Sequence, residues 1–193
     1  MALQNRMDHK ALESLGGKTM TDKLNSRNVF RYVFEFVAAG FAGWIYEVVT
    51  VWVMWHYFDN RGMLHLPIIP IYAVGAFLLL IIIRRKINPV QLFMLAFVIT
   101  TVFELGASYL LEFIFHKQFW TYKTWPLSIL DRSSGVSSAI FGAMAVVYFY
   151  GLHPLSGKIS EKLPKKFCTA ISAAAIAVIG TDFVISVWQN LKG

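Results

Sequence analysis

Four acidic residues, Glu47, Glu104, Glu112 and Asp182, lie inside stretches apolar enough to cross a membrane. A carboxylate in hydrocarbon costs about 2.5–3.5 kcal/mol on insertion scales, so such residues face a bundle interior, pair with a cation or line a polar path. Glu104, Ser108 and Glu112 recur at i, i+4 and i+8, which is one face of a helix. Glu47 falls on the helical face that also carries Ala39 and Gly43. The cations able to answer these acids are Arg61, in Asp59-Asn60-Arg61-Gly62, and Arg132, in Asp131-Arg132. An apolar site without a cation favours a protonated carboxyl group that donates a hydrogen bond. Glu104, nearest the middle of its stretch, is the first candidate for that state.

The elements that must position these residues are membrane helices. Of the 193 residues, 56% are hydrophobic and only 15% charged, against roughly 25% charged in soluble domains. Five apolar segments stand out, about 29–55, 67–83, 90–115, 136–152 and 167–188. The second opens on Pro67 and Pro70, which a helix N-terminus tolerates. The expected fold is therefore all-α, a polytopic membrane bundle of five transmembrane helices over 29–190, behind a polar basic tail, 1–28. That tail has no short apolar core before a small-residue cleavage site, so the first helix is expected to act as an uncleaved signal anchor. Of the eighteen lysines and arginines, most fall in the tail, in Arg84-Arg85-Lys86 and among Lys158, Lys162, Lys165 and Lys166. These alternate loops share one side, so the positive-inside bias puts the N-terminus in the cytoplasm and the C-terminus outside. That topology also accounts for the net charge of +7 without nucleic acid.

Other chemistry is thinly represented. Cys168 is the only cysteine, so no internal disulfide forms. His56, His65 and His116 lie on the outer side near Glu112, but their separations match no metal-ligand spacing, and no metal or cofactor is implied. Phosphate-binding Gly-x-x-x-x-Gly-Lys-Ser/Thr, Gly-x-Ser-x-Gly and His-Glu-x-x-His motifs are absent. Ser133-Ser134 and Ser137-Ser138 read as capping and close packing. Ala39/Gly43, Ala139/Ala143, Ala170/Ala174 and Ala173/Ala177 are small-xxx-small pairs, expected at helix–helix contacts or at a self-association face. Trp52, Trp55, Tyr57, Phe119, Trp120, Tyr122 and Trp125 form an aromatic belt at the outer interface.

An ordered string of motifs is similar to one known family. Gly43-Trp44-Ile45-Tyr46-Glu47 is followed by Asn60-Arg61-Gly62-Met63-Leu64 and Pro67-Ile68-Ile69-Pro70-Ile71-Tyr72. Then come Glu104, Ser108-Tyr109-Leu110-Leu111-Glu112, Trp120-Thr121-Tyr122, Pro126, Arg132, Ser137-Ser138, Phe141-Gly142, His153-Pro154 and Asp182 with Ser186. The string covers roughly 40–187 and resembles the bacterial ABC-transporter type IV permease family, the CmpB-like membrane proteins. Two positions depart from it: Thr121 stands where the family tends to have Asp, and Leu130-Asp131 where it has Asn-Gly. The resemblance implies a transport role beside a separate ATPase, in the bacterial inner membrane.

Charge placement and resemblance together give the expected function. It is a transporter, or transporter subunit, that binds a small polar or cationic solute in an outward-facing acidic cavity. Glu47, Glu104, Glu112 and Asp182 would supply charge or hydrogen bonds there. Arg61 and Arg132 would gate the mouth or pair with the acids, and Trp44, Trp120 and Tyr122 would form the walls. Two alternatives stay open. One is a membrane enzyme acting on a lipid or lipid-linked substrate, with a buried glutamate as general acid–base. The other is a partner subunit without turnover.

Overall fold

A computed structural model describes residues 25–83 and 87–192. Helix α1 spans Ser26–Trp55, α2 Pro70–Ile82, α3 Pro89–Phe115, α4 Gly135–Val147, α5 His153–Lys162 and α6 Lys165–Lys192. One antiparallel hairpin, β1 Ser128–Ile129 and β2 Ser133–Ser134, precedes α4. A π-helical turn, Tyr148–Leu152, joins α4 to α5, so that helix runs from Gly135 to Lys162. Among the described residues α1, α3, the α4–α5 helix and α6 are long and apolar enough to cross a membrane. Most of the basic tail, together with Arg84, Arg85 and Lys86, lies outside the described residues.

Local chemistry sets most helix ends. The Asn88 side chain accepts from the Gln91 N–H at 2.8 Å while the Gln91 side chain accepts from the Asn88 N–H, a capping box with Pro89 behind it. Ser134 and Ser137 repeat the arrangement at the start of α4. Helices α1 and α3 both stop at a histidine, His56 and His116, in the left-handed conformation, each N–H donating to the carbonyl four residues back.

The structure corrects the expected boundaries in two places. The second apolar segment is helical only over Pro70–Ile82, thirteen residues. Proline disfavours helical backbone in the residue before it, and Ile69, just ahead of Pro70, is extended. This non-helical approach packs on α1: Ile68 and Ile69 are buried, and the Ile69 N–H donates to the Gly40 carbonyl at 3.0 Å. The stretch 153–166, expected as a loop, is helical up to Lys162 and again from Lys165. Pro154 would clash with the carbonyl of Tyr150, four residues back; the π turn ahead of it absorbs that misfit and the helix continues.

Close backbone approach occurs where the small residues of α1 meet α2. A Cβ on Gly40 would collide with Ile68, and one on Gly43 would fall within the Tyr72 ring. Helix α2 runs back along α1, with Phe77 meeting the Tyr32 ring edge-on at 6.0 Å. Leu79, Ala96 and Ala145 knit α2, α3 and α4 into the core. On α6, Ala170, Ala173, Ala174 and Ala177 are exposed, whereas Cys168, Ser172 and Ser186 are buried. Hydroxyl and thiol side chains, rather than methyl groups, make the inward stripe of that helix.

Substituting valine at Gly43 should cost about 1–3 kcal/mol, because the Tyr72 ring and its helix must shift. Thermal unfolding in detergent measures this; an unchanged midpoint would mean that α1 and α2 do not meet at this point.

Candidate functional site

Residues 116–134 fold back along the last turns of α3 instead of leaving the bundle. The Tyr122 hydroxyl donates to Glu104 Oε1 at 2.5 Å, and Ser133 donates to Oε2 at 2.7 Å. The Ser137 hydroxyl lies 3.3 Å from the same Oε2 and 2.9 Å from the Ser134 carbonyl, its one proton serving either. Arg132 Nη1 donates to Ser108 at 3.0 Å, Nη2 pairs with Glu112, and the guanidinium lies over the Tyr109 ring at 4.1 Å. Glu104, Ser108 and Glu112 do share one face, and the returning segment covers it. Three hydroxyl groups thus surround the Glu104 carboxyl. Burial, followed by the adjacent Glu104, pushes the Tyr122 hydroxyl far above its ordinary pKa, which keeps it a donor.

The hairpin in this segment carries backbone strain. Leu130 and Asp131 both have positive φ, 53° and 57°, between the paired residues Ile129 and Ser133. Two successive left-handed residues are what Asn-Gly supplies in a tight hairpin turn. The Leu130-Asp131 departure therefore falls on turn geometry. Asp131 partly compensates: its carbonyl accepts from the Tyr122 N–H at 2.9 Å and its carboxylate from the Ser128 hydroxyl at 3.3 Å.

The other two acids are also engaged. Tyr72 donates its hydroxyl to Glu47 Oε1 at 3.1 Å, and Arg61 Nε lies 3.5 Å from Glu47 Oε2. Asp182 accepts the backbone N–H of His65 and of Leu66, at 3.3 and 3.0 Å, and pairs with His65 Nδ1 at 2.7 Å. Ser186 lies 3.1 Å from that same Nδ1. Trp44 donates its indole N–H to Asn60 at 2.8 Å, tying α1 to the 56–69 loop.

A cavity of about 320 Å³ opens beside the end of α1. Val51, Trp55, Tyr57 and Arg61 form one side of it, and residues 118–121 the other. Of the nine candidate residues, Arg61 and Trp120 line this space. The four carboxylates are not among its lining residues, and its charged lining residue is Arg61.

The family model described as "Putative ABC-transporter type IV" matches residues 34–187. The chain belongs to this family. It is a multi-pass membrane protein, and the match takes in all nine candidate residues and every helix from α1 to α6. No curated protein and no solved structure matches the chain.

The family match also begins at a cluster that the sequence reading passed over. Glu35 is completely buried at the Ser26 end of the bundle. It accepts from Tyr148 at 2.5 Å, from Ser156, and from Arg31 Nε at 3.0 Å. Arg31 Nη2 lies 2.7 Å from His153 Nε2. A guanidinium only donates, so Nε2 accepts, and Nδ1 carries the proton toward both Glu35 oxygens, 3.1 Å away. Two signals were available in the sequence: the i, i+4 spacing of Arg31 and Glu35, and the His153-Pro154 motif.

Two outcomes test this geometry. Leu130→Asn should raise stability by about 1 kcal/mol, since asparagine tolerates the left-handed region; a lower midpoint in thermal unfolding would contradict the turn assignment. Glu35→Ala should cost about 1–3 kcal/mol, because it takes the acceptor from the buried Tyr148 and Ser156 hydroxyls. Denaturant titration in mixed micelles reads that loss, and a cost below 1 kcal/mol would mean the cluster is not closed.

Proposed function

We propose that this family member is a membrane-embedded transport component that binds a small polar solute at the Trp55 end of the bundle, which faces outside. The observation that carries the reading is the cavity itself, of about 320 Å³, formed where the end of α1 meets the returning segment after α3. The four acids act as its frame: Glu47 holds Arg61 from behind, while Glu104 and Glu112 hold the segment that carries Trp120. Asp182 clamps the 56–69 loop to α6.

The bundle over 29–190 then forms a single domain with five passes, its N-terminus in the cytoplasm of a bacterial cell. Helix α2 rises only about 20 Å, short of a hydrocarbon core of about 30 Å, and the non-helical approach ahead of it supplies the rest of the pass. Non-helical backbone is tolerated at that depth when buried in protein, and Ile69 bonded to Gly40 meets the condition. A separate ATPase subunit is the natural partner. The α4–α5 helix continues past the apolar stretch as a rigid rod with Lys158 and Lys162 exposed, and Glu35 bolts it to α1.

Reconstitution into sealed vesicles, with and without co-purifying ATPase, tests the proposal. Solute uptake should fall at least tenfold in Arg61→Ala and remain in Lys123→Ala, an exposed position away from the cavity lining. Product formation in detergent, without a sealed compartment, would instead favour the membrane-enzyme reading. A stable complex with no turnover of either kind would favour a partner subunit.

A further inference from the structure

The sequence alone pointed to a polar or cationic solute, because its conspicuous charges are acids. We infer that the solute of this cavity is an organic anion: a carboxylate joined to a flat apolar body. The inference rests on the reading of the cavity as the solute site and fixes the charge of what enters it.

Arg61 is the only charged side chain among the lining residues. Its guanidinium offers five N–H donors. Nη1 donates to Asp59 at 3.3 Å, and Nε, buried, has no hydrogen-bond partner although Glu47 lies 3.5 Å away. Nε is closed off toward Glu47, and the donors left for an incoming carboxylate are those of the Nη groups, which can grip it through two parallel bonds. Glu47 takes its hydrogen bond from Tyr72 and does not reach the lining. Glu104, Glu112 and Asp182 are likewise turned to other partners.

The rest of the wall agrees. Trp55, Tyr57, Phe119 and Trp120 present flat apolar surface, and Gln118 and Thr121 are neutral. Aromatic walls of this kind also hold cations, but here the charged group set among them is itself a guanidinium. An ammonium compound would meet the Arg61 guanidinium in the wall, whereas a carboxylate would find there the donors that Asp59 and Glu47 leave open.

A matched pair of probes separates the signs: phenylacetate and phenethylamine, the same ring with opposite charge. With the full chain in zwitterionic-lipid nanodiscs, Trp55 and Trp120 report occupancy through tryptophan fluorescence. Phenylacetate should give a saturable change and phenethylamine none. Arg61→Ala should weaken phenylacetate binding at least tenfold. Because that variant also releases Glu47, Thr121→Asp provides the second arm: it leaves Arg61 in place, puts a carboxylate into the wall, and should weaken binding at least tenfold as well. Saturable binding of phenethylamine to the wild type would overturn the anion assignment while leaving a solute cavity of the opposite sign. Phenylacetate binding that neither variant weakens would overturn it too, and so would no saturable response to either probe, an outcome that also removes the cavity as a site. Phenylacetate binding that obeys both variants, in vesicles showing no uptake, supports the anion assignment and fails only the transport reading.

Discussion

A carboxyl group in the middle of a membrane helix must be given hydrogen-bond donors by the protein, because lipid supplies none. Glu104 imposes that requirement here, and the architecture of the Trp55 end follows from it. Tyr122, Ser133 and Ser137 reach Glu104 only because residues 116–134 turn back along α3. That return sets the depth at which α4 begins, and the Ser134–Ser137 capping box starts the helix beside the carboxylate it serves. Arg132, carried on the same segment, then closes over Ser108 and Glu112.

Helix α1 has a polar fastening near each end and close packing between. Toward Ser26, Glu35 gathers Arg31, Tyr148, His153 and Ser156; toward Trp55, Glu47 meets Tyr72 and Arg61. Between them Gly40 and Gly43 bring α2 and its extended approach against the helix backbone. Lipid competes for apolar surface as well as another helix does, so association in a membrane relies on such close contacts and a few polar bonds. The π turn before Pro154 belongs to this scheme. It lets one helix carry both the donors for Glu104 at its start and the partners of Glu35 further on.

Each acid that stands out in the sequence has partners in the fold. Their charges are spent on Arg132, Arg61, His65 and a set of hydroxyls. What faces open space is a guanidinium among aromatic rings. Conspicuous charge in a membrane sequence marks where the energetic demand lies, and the group that meets a ligand can be the partner of that charge.

The sequence by itself determined the apolar stretches, the serine cap ahead of α4 and the shared face of Glu104, Ser108 and Glu112. Each of these is a local property, set by backbone geometry or by periodicity along one helix. The motif string was likewise enough for the family. Only the tertiary structure decided which group answers which. Glu35 meets Ser156, 121 positions away, and Asp182 meets His65, 117 positions away; spacing along one helix encodes neither. Nor could local pattern tell that Leu130 and Asp131 sit in left-handed turn positions, or that α6 buries Cys168, Ser172 and Ser186. Those outcomes depend on which helix lies alongside, because in hydrocarbon a polar side chain is placed by whichever partner can satisfy it.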